Sequence, residues 1–140
     1  MIPDQLAGST IAITGATGFV GTALVERLLR CVPDCHLVLI VRDGRRTTAQ
    51  RRTVREILSN DAFDRLRAEL ANGPESFDDM CARRITTLSG DVGSDGLGLD
   101  DDARATFARC NIIIHSAATV SFDSPLDSAV EINLLGPTRI

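Results

Sequence analysis

Three glycines, at positions 15, 18 and 21, follow the apolar run Ile11-Ala12-Ile13 and overlap the start of an apolar-periodic stretch that runs from Phe19. A strand, a glycine turn and a helix in that order are the arrangement that cradles a dinucleotide pyrophosphate. Gly15 lets the chain turn sharply off the strand, Gly18 lets backbone N–H groups approach the phosphates, and Gly21 lets the helix pack close on the strand. The helix N-terminus then faces the anion with partial positive charge. A glycine pattern alone would fit an ordinary tight turn, but the strand before it and the helix after it favour the dinucleotide. The expected contacts along the turn are Thr14, Gly15, Thr17, Gly18, Phe19, Val20 and Gly21.

The choice of dinucleotide is read at the end of the next strand, His36 to Val41. In sites for NAD, an acidic residue there, about twenty residues past the glycines, accepts hydrogen bonds from the adenosine ribose. Here the first residue past the strand is Arg42, with Arg45 and Arg46 close behind. A guanidinium can hold the additional 2′-phosphate, so NADP(H) is favoured. Asp43 argues the other way, because it would reach the ribose if the strand ran one residue longer.

Asp91, followed by Val92, closes a third strand (Arg84 to Leu88) and could accept from the adenine amino group or cap the following turn. After a fourth strand, Ile112 to Ile114, come His115-Ser116 and the small residues Ala117, Ala118 and Thr119, which would let a cofactor ribose and nicotinamide approach the backbone. His115, alone at the end of an apolar strand, reads as a structural residue rather than a base. Near the C-terminal end, Pro137 lacks the N–H that would bond the Asn133 carbonyl; the proline either merely bends the helix or leaves that carbonyl free to hold a water.

The elements that position these residues are read from periodicity. Met1 to Ser9 is a polar lead-in in which Pro3 and Gly8 discourage regular structure. Strand one spans Thr10 to Thr14, and helix one runs from Phe19 to Arg30 with Val20, Ala23, Leu24 and Leu28 on one face. Thr47 to Leu58 and Phe63 to Leu70 read as two charged helices, with Val54, Ile57, Leu58, Leu66 and Leu70 inward and the arginines at 51, 52, 55, 65 and 67 on a solvated face. Gly93 to Gly98 is a loop, Asp100 to Arg109 a helix opened by acidic residues, and Ser124-Pro125 opens the last helix. Four strands alternating with helices predict an α/β fold, the N-terminal portion of a Rossmann-type doubly wound parallel sheet of order 3-2-1-4.

The 140 residues are 44% apolar, which suits one domain or part of one. Fifteen basic against nineteen acidic residues give a net charge of −4, which argues against nucleic-acid binding. No apolar run has transmembrane length and no secretory signal pattern is present, so a cytoplasmic protein is expected. The four cysteines lack paired zinc-ribbon spacing. Cys31, Cys35 and His36 are thus not read as metal ligands, and the cysteines are read as reduced thiols, some of them buried in the core. The chain contains no tyrosine and no lysine.

The glycine spacing, Thr-Gly-x-x-Gly-x-x-Gly, resembles the extended short-chain dehydrogenase/reductase superfamily. Residues 14–21, 37–42, 63–67, 90–92, 97–99 and above all 111–136 narrow the resemblance to the fatty acyl-CoA reductases, over nearly the whole chain. Carboxylic acid reductases and related thioester reductase domains are similar, less so around Phe122-Asp123. The resemblance implies that NADPH delivers hydride to the carbonyl carbon of a fatty acyl-CoA or other acyl thioester, and that the hemithioacetal collapses to an aldehyde. It also implies a tyrosine proton donor with a lysine four residues on, neither of which is in this chain, and a relay asparagine at Asn133 as a catalytic residue. Pro137 stands where relatives often carry threonine. Residues 1–140 are therefore read as the N-terminal, cofactor-binding part of a larger reductase. A non-catalytic NADP(H)-sensing module is the alternative from another class.

Overall fold

The aliphatic runs after Ser9 and Cys35 form two adjacent parallel strands, β1 (Thr10–Thr14) and β2 (His36–Val41). Both are buried almost throughout, as expected of strands covered on two faces. The computed structural model describes residues 1–121, 123 and 125–140. The sheet has four strands in the order β3-β2-β1-β4, with β3 at Ile85–Ser89 and β4 at Ile112–His115. All three pairings are parallel, and the order is the predicted one.

Alternate residues of the strands feed two cores. Ile11, Ile13, Leu37 and Leu39 pack with Val25, Leu28, Ile57, Phe63 and Met80 on one face. Ala12, Val38 and Ile40 pack with Leu88, Leu97 and Leu99 on the other. That period of two is what places helices on both sides of the sheet.

Several local expectations are corrected. The lead-in contains a helix, α1 (Ile2–Leu6), since Pro3 sits in its first turn, where a missing N–H costs nothing. The long helix α2 (Phe19–Cys31) turns Thr22, Val25, Leu28 and Leu29 inward, whereas Val20 and Ala23 are exposed. The Thr22 hydroxyl donates to the Ala16 carbonyl at 3.0 Å, fixing that rotation. The third helix, α3 (Ala49–Arg52), widens into a π-helical turn over Thr53–Leu58, which leaves Val54 exposed. A short 3₁₀ turn leads into α4 (Asp64–Leu70).

The sequence reading missed α5 (Phe77–Arg84), whose first turn is capped by the Ser76 hydroxyl accepting from the Asp79 N–H. Its last residue, Arg84, is buried and donates to the carbonyls of Leu29, Val32 and Cys35 at the C-terminal end of α2. Gly93 to Gly98, expected as a loop, holds a 3₁₀ turn at Asp95–Gly98. The Asp100 side chain caps α6 (Asp101–Phe107). The last helix begins as α7 (Leu126–Val130), continues as a π-helical turn at Glu131–Leu135 and ends as a 3₁₀ turn at Gly136–Arg139 containing Pro137. Phe122, within the resemblance, and Ser124, expected to open this helix, lie outside the described residues.

Candidate dinucleotide-binding site

At the C-terminal ends of β1, β2 and β4 lies a cleft of about 230 Å³, the place where open α/β sheets bind ligands. Its floor is the glycine turn. Gly15 has φ +73°, and a Cβ there would lie 2.5 Å from the Ala117 nitrogen, so only glycine lets the turn meet the β4 loop. A Cβ on Gly21 would fall on the Gly15 carbonyl, which is the close helix–strand approach expected of the third glycine. Gly15, Thr17 and Gly18 line the cleft on this side.

The second wall comes from the end of β2. Ile40, Val41 and Arg42 line it, joined by Arg52 from α3 and by Asp91 and Val92 beyond β3. An Arg42 guanidinium nitrogen stands 3.7 Å from a carboxylate oxygen of Asp91. Asp91 also accepts from the Gly93 N–H at 2.9 Å, the turn-capping role foreseen for it. Arg52 donates through Nη1 to the Arg42 carbonyl at 2.5 Å and pairs with Glu56 at 2.8 Å. The hydrogen bond from Arg52 leads the causes that hold the Glu56 carboxyl down to about 2, and the same bond raises Arg52.

Asp43, the acidic rival to Arg42, is not among the residues lining the cleft. Its Oδ1 accepts from the Ala49 N–H at 2.6 Å and its Oδ2 from the Ser89 hydroxyl at 2.7 Å. Those two bonds, the Ser89 one foremost, hold its carboxyl below the usual carboxylate range.

The third wall is the β4 loop, where Ser116, Ala117 and Ala118 present small side chains opposite Ile132. Thr119 lies just outside the lining, and Asn133 holds it. The Asn133 amide accepts from the Thr119 N–H at 2.8 Å and donates to the Thr119 carbonyl at 2.9 Å. The side chain of Asn133 is thus committed to shaping the loop.

Four other expected contacts lie apart from the lining. Thr14 is fully buried, its hydroxyl 2.7 Å from Nδ1 of His115, which gives that histidine the structural role anticipated for it. Phe19 is 94% exposed and Val20 is also exposed, so any contact they make with a phosphate comes from their backbone. Gly21 serves packing. Ile40, Val41, Arg52, Ser116 and Ile132 were missed. For Arg52 a signal existed: Glu56 lies four residues on, able to orient a guanidinium.

The cysteines stand outside the cleft lining. Cys35 is buried against Arg84, and burial pushes the Cys81 thiol up to about 11. Among the described residues no group of three His, Cys, Asp or Glu could hold a metal ion, and no helix is long and apolar enough to cross a membrane.

Residues 13–140 match the NAD-binding family described as "Male sterility protein". The chain belongs to that family. It is 36% identical over 141 residues to fatty acyl-CoA reductase 1 of Homo sapiens, and that match covers 99% of this chain and 26% of the human one. Fatty acyl-CoA reductase 1 of Xenopus laevis is 31% identical over 140 residues, with the same coverage. The chain thus spans about a quarter (26%) of the length of these curated relatives. Among solved structures, the terminal R domain of the myxalamid PKS-NRPS pathway is similar at 30% identity and a TM-score of 0.62, over 91% of this chain and 29% of that one. The reductase domain of a non-ribosomal peptide synthetase from Mycobacterium tuberculosis is 32% identical with a TM-score of 0.58, over 87% and 28%.

Proposed function

We propose that this chain is the NADP(H)-binding portion of a fatty acyl-CoA reductase. The observation that carries the cofactor choice is the division of labour after β2: Arg42 and Arg52 line the cleft while Asp43 spends both oxygens on the chain's own donors. Two guanidiniums there, against the single carboxylate of Asp91, which lies beside Arg42, fit a phosphorylated ribose and disfavour a bare one. The glycine turn and the N-terminus of α2 fit the pyrophosphate, and the small residues of the β4 loop leave room for the nicotinamide ribose. Bound NADPH would supply hydride to the carbonyl carbon of an acyl thioester.

In this reading the chain's own residues bind and orient. Gly15 and Gly18 bring backbone to the phosphates, Arg42 and Arg52 hold the 2′-phosphate, and Asp91 stands beside Arg42 as its ion-pair partner. Asn133 contributes by fixing Thr119 and, as the expected relay, through its carbonyl. The proton donor is not in this chain, which has neither tyrosine nor lysine.

Calorimetric titration with NADPH and then NADH, on a chain shown to be folded by circular dichroism, tests the cofactor choice. NADPH should bind more tightly. Arg42→Asp should weaken NADPH by at least about tenfold, the equivalent of one charge-assisted hydrogen bond, and NADH far less. Equal binding of both nucleotides, or none, would overturn the reading. The substrate class is tested on the natural full-length protein, where long-chain acyl-CoA should drive NADPH oxidation with release of coenzyme A.

A further inference from the structure

We propose that Asp43 is a positioning residue: its carboxylate latches the start of α3 to the end of β3, and so holds Arg42 and Arg52 in the paired arrangement that selects a 2′-phosphorylated dinucleotide. The proposal deepens the cofactor reading above and rests on it.

Three pieces of chain meet at Asp43. It directly follows Arg42, the first residue beyond β2. Its Oδ1 takes the N–H of Ala49, the first residue of α3, which would otherwise lack an intrahelical partner. Its Oδ2 takes the hydroxyl of Ser89, the last residue of β3, which pairs with Val41 in the sheet. Between Asp43 and α3 the chain doubles back through a bridge in which the Gly44 N–H donates to the Thr47 carbonyl at 2.9 Å. A tight loop is thereby closed at both ends.

Arg52 lies only three residues from the latched Ala49, within the four regular residues of α3. Any movement of Ala49 is passed to Arg52 almost without slack. Arg52 in turn reaches back to the Arg42 carbonyl, while Glu56 holds the rest of its guanidinium. Latch, helix turn and arginine pair form one closed circuit, Asp43 to Ala49 to Arg52 to Arg42. The circuit also solves an electrostatic problem. A carboxylate next to Arg42 would repel a 2′-phosphate, and the two hydrogen bonds turn its charge toward donors outside the cleft lining. The acidic residue that in NAD sites accepts the ribose is here turned to building the phosphate site.

The test uses the whole chain and four proteins: wild type, Asp43→Ala, Asp43→Asn and Ser89→Ala. Kd values for NADPH and NADH and amide exchange at Ala49 are measured, with circular dichroism as the control for folding. Asp43→Ala should weaken NADPH about tenfold, leave NADH within about twofold, and speed exchange at Ala49. Ser89→Ala, which cuts one arm, should shift the NADPH/NADH ratio in the same direction by about threefold, and Asp43→Asn, which keeps one acceptor oxygen, should restore most of the wild-type ratio. A residue that merely stabilised the fold would weaken both nucleotides together, and that outcome overturns the proposal. So does a larger loss for NADH than for NADPH, which would put Asp43 on the ribose. If Asp43→Ala does not fold, the ratio in Ser89→Ala and Asp43→Asn decides. A wild-type chain that binds neither nucleotide overturns the selective role and the cofactor reading together, whereas unchanged Ala49 exchange in a chain that does bind NADPH overturns the latch alone.

Discussion

The β2 wall and the β4 wall of the cleft face each other across Gly15 and are built by opposite means. The β2 wall stands on a strand with a neighbour on each side, and its polar residues, Arg42, Asp43, Arg52, Glu56 and Ser89, are cross-linked by hydrogen bonds among themselves and to the backbone. The β4 wall stands on a strand paired on one side only, with Ile113 44% exposed, and among the described residues its loop is tied by the Ser116 hydroxyl, which donates to the Thr14 carbonyl, and by Asn133 at Thr119. Local opening is cheapest where buried contacts are fewest, so the β4 wall is the softer of the two. One wall can recognise charge because it carries two guanidiniums, that of Arg52 fixed by Glu56 and by the Arg42 carbonyl. The other leaves room because its side chains, Ser116, Ala117 and Ala118, are small.

The change that breaks the comparison most completely is at the residue the walls share. Gly15→Ala would place a methyl group against the Ala117 backbone and force a positive φ on a residue that resists it. A loss of about 3 kcal/mol or more is expected in urea denaturation, with nucleotide binding abolished. Gly8 supplies the control: its φ is +69°, yet nothing lies within 4 Å of a Cβ there, so Gly8→Ala should cost only about 1 kcal/mol, the conformational penalty alone. Equal losses at the two positions would show that the β1 turn and the β4 loop do not touch as described.

A smaller effect separates the walls. Asn133→Ala removes both hydrogen bonds to Thr119 and should destabilise by about 1 kcal/mol. The informative signal is its location: amide exchange should quicken at Thr119 and stay unchanged at Ala49. Asn133→Asp keeps an acceptor for the Thr119 N–H but loses the donor to its carbonyl, so it should fall between wild type and Ala. Faster exchange at Ala49 in either variant would mean that the two walls are one cooperative unit.

How far the sequence carried the structure follows from the same contrast. Strands β1 and β2 and the turn at Gly15 were legible because unbroken aliphatic runs and a glycine spacing are local signals, and the order 3-2-1-4 followed from the alternation of strands and helices in a doubly wound sheet. Arg42 was legible only with Asp43 as a rival, because one residue more of strand would have exchanged their places; β2 ends at Val41. Arg52 reads with Arg51 and Arg55 as a solvated face; Glu56 four residues on sets it apart in sequence, but its place in the cleft follows from the fold. The helix α5 offered two well-buried apolar residues, Met80 and Cys81, among eight residues rich in charge, too few to show a period, although Ser76 before Asp78 and Asp79 was a readable start. The buried Arg84 depends on carbonyls some fifty positions earlier in the chain (49, 52 and 55 residues away), which no window of sequence brings together.

The smallest expected effect comes from acid. Glu56 titrates at about 2 in the folded chain against 4.5 ordinarily, chiefly because Arg52 hydrogen-bonds its ionised form. A carboxyl whose folded value is depressed stabilises fully above its unfolded value, and that contribution fades as pH falls from about 4.5 toward 2. The shift would amount to roughly 3 kcal/mol in isolation, but the pair is partly exposed, and solvent screening reduces it to about 1 kcal/mol. Glu56→Gln should therefore be less stable than wild type at neutral pH by about that amount and converge with it near pH 2. Asp43 is shifted in the same direction, so some acid sensitivity should survive the substitution. Because the amide of Asn133 does not titrate, acid should loosen the Arg52 side of the cleft while Thr119 exchange holds. Simultaneous loosening of both walls in this range would place the acid-sensitive group outside the β2 network and remove the electrostatic half of the comparison.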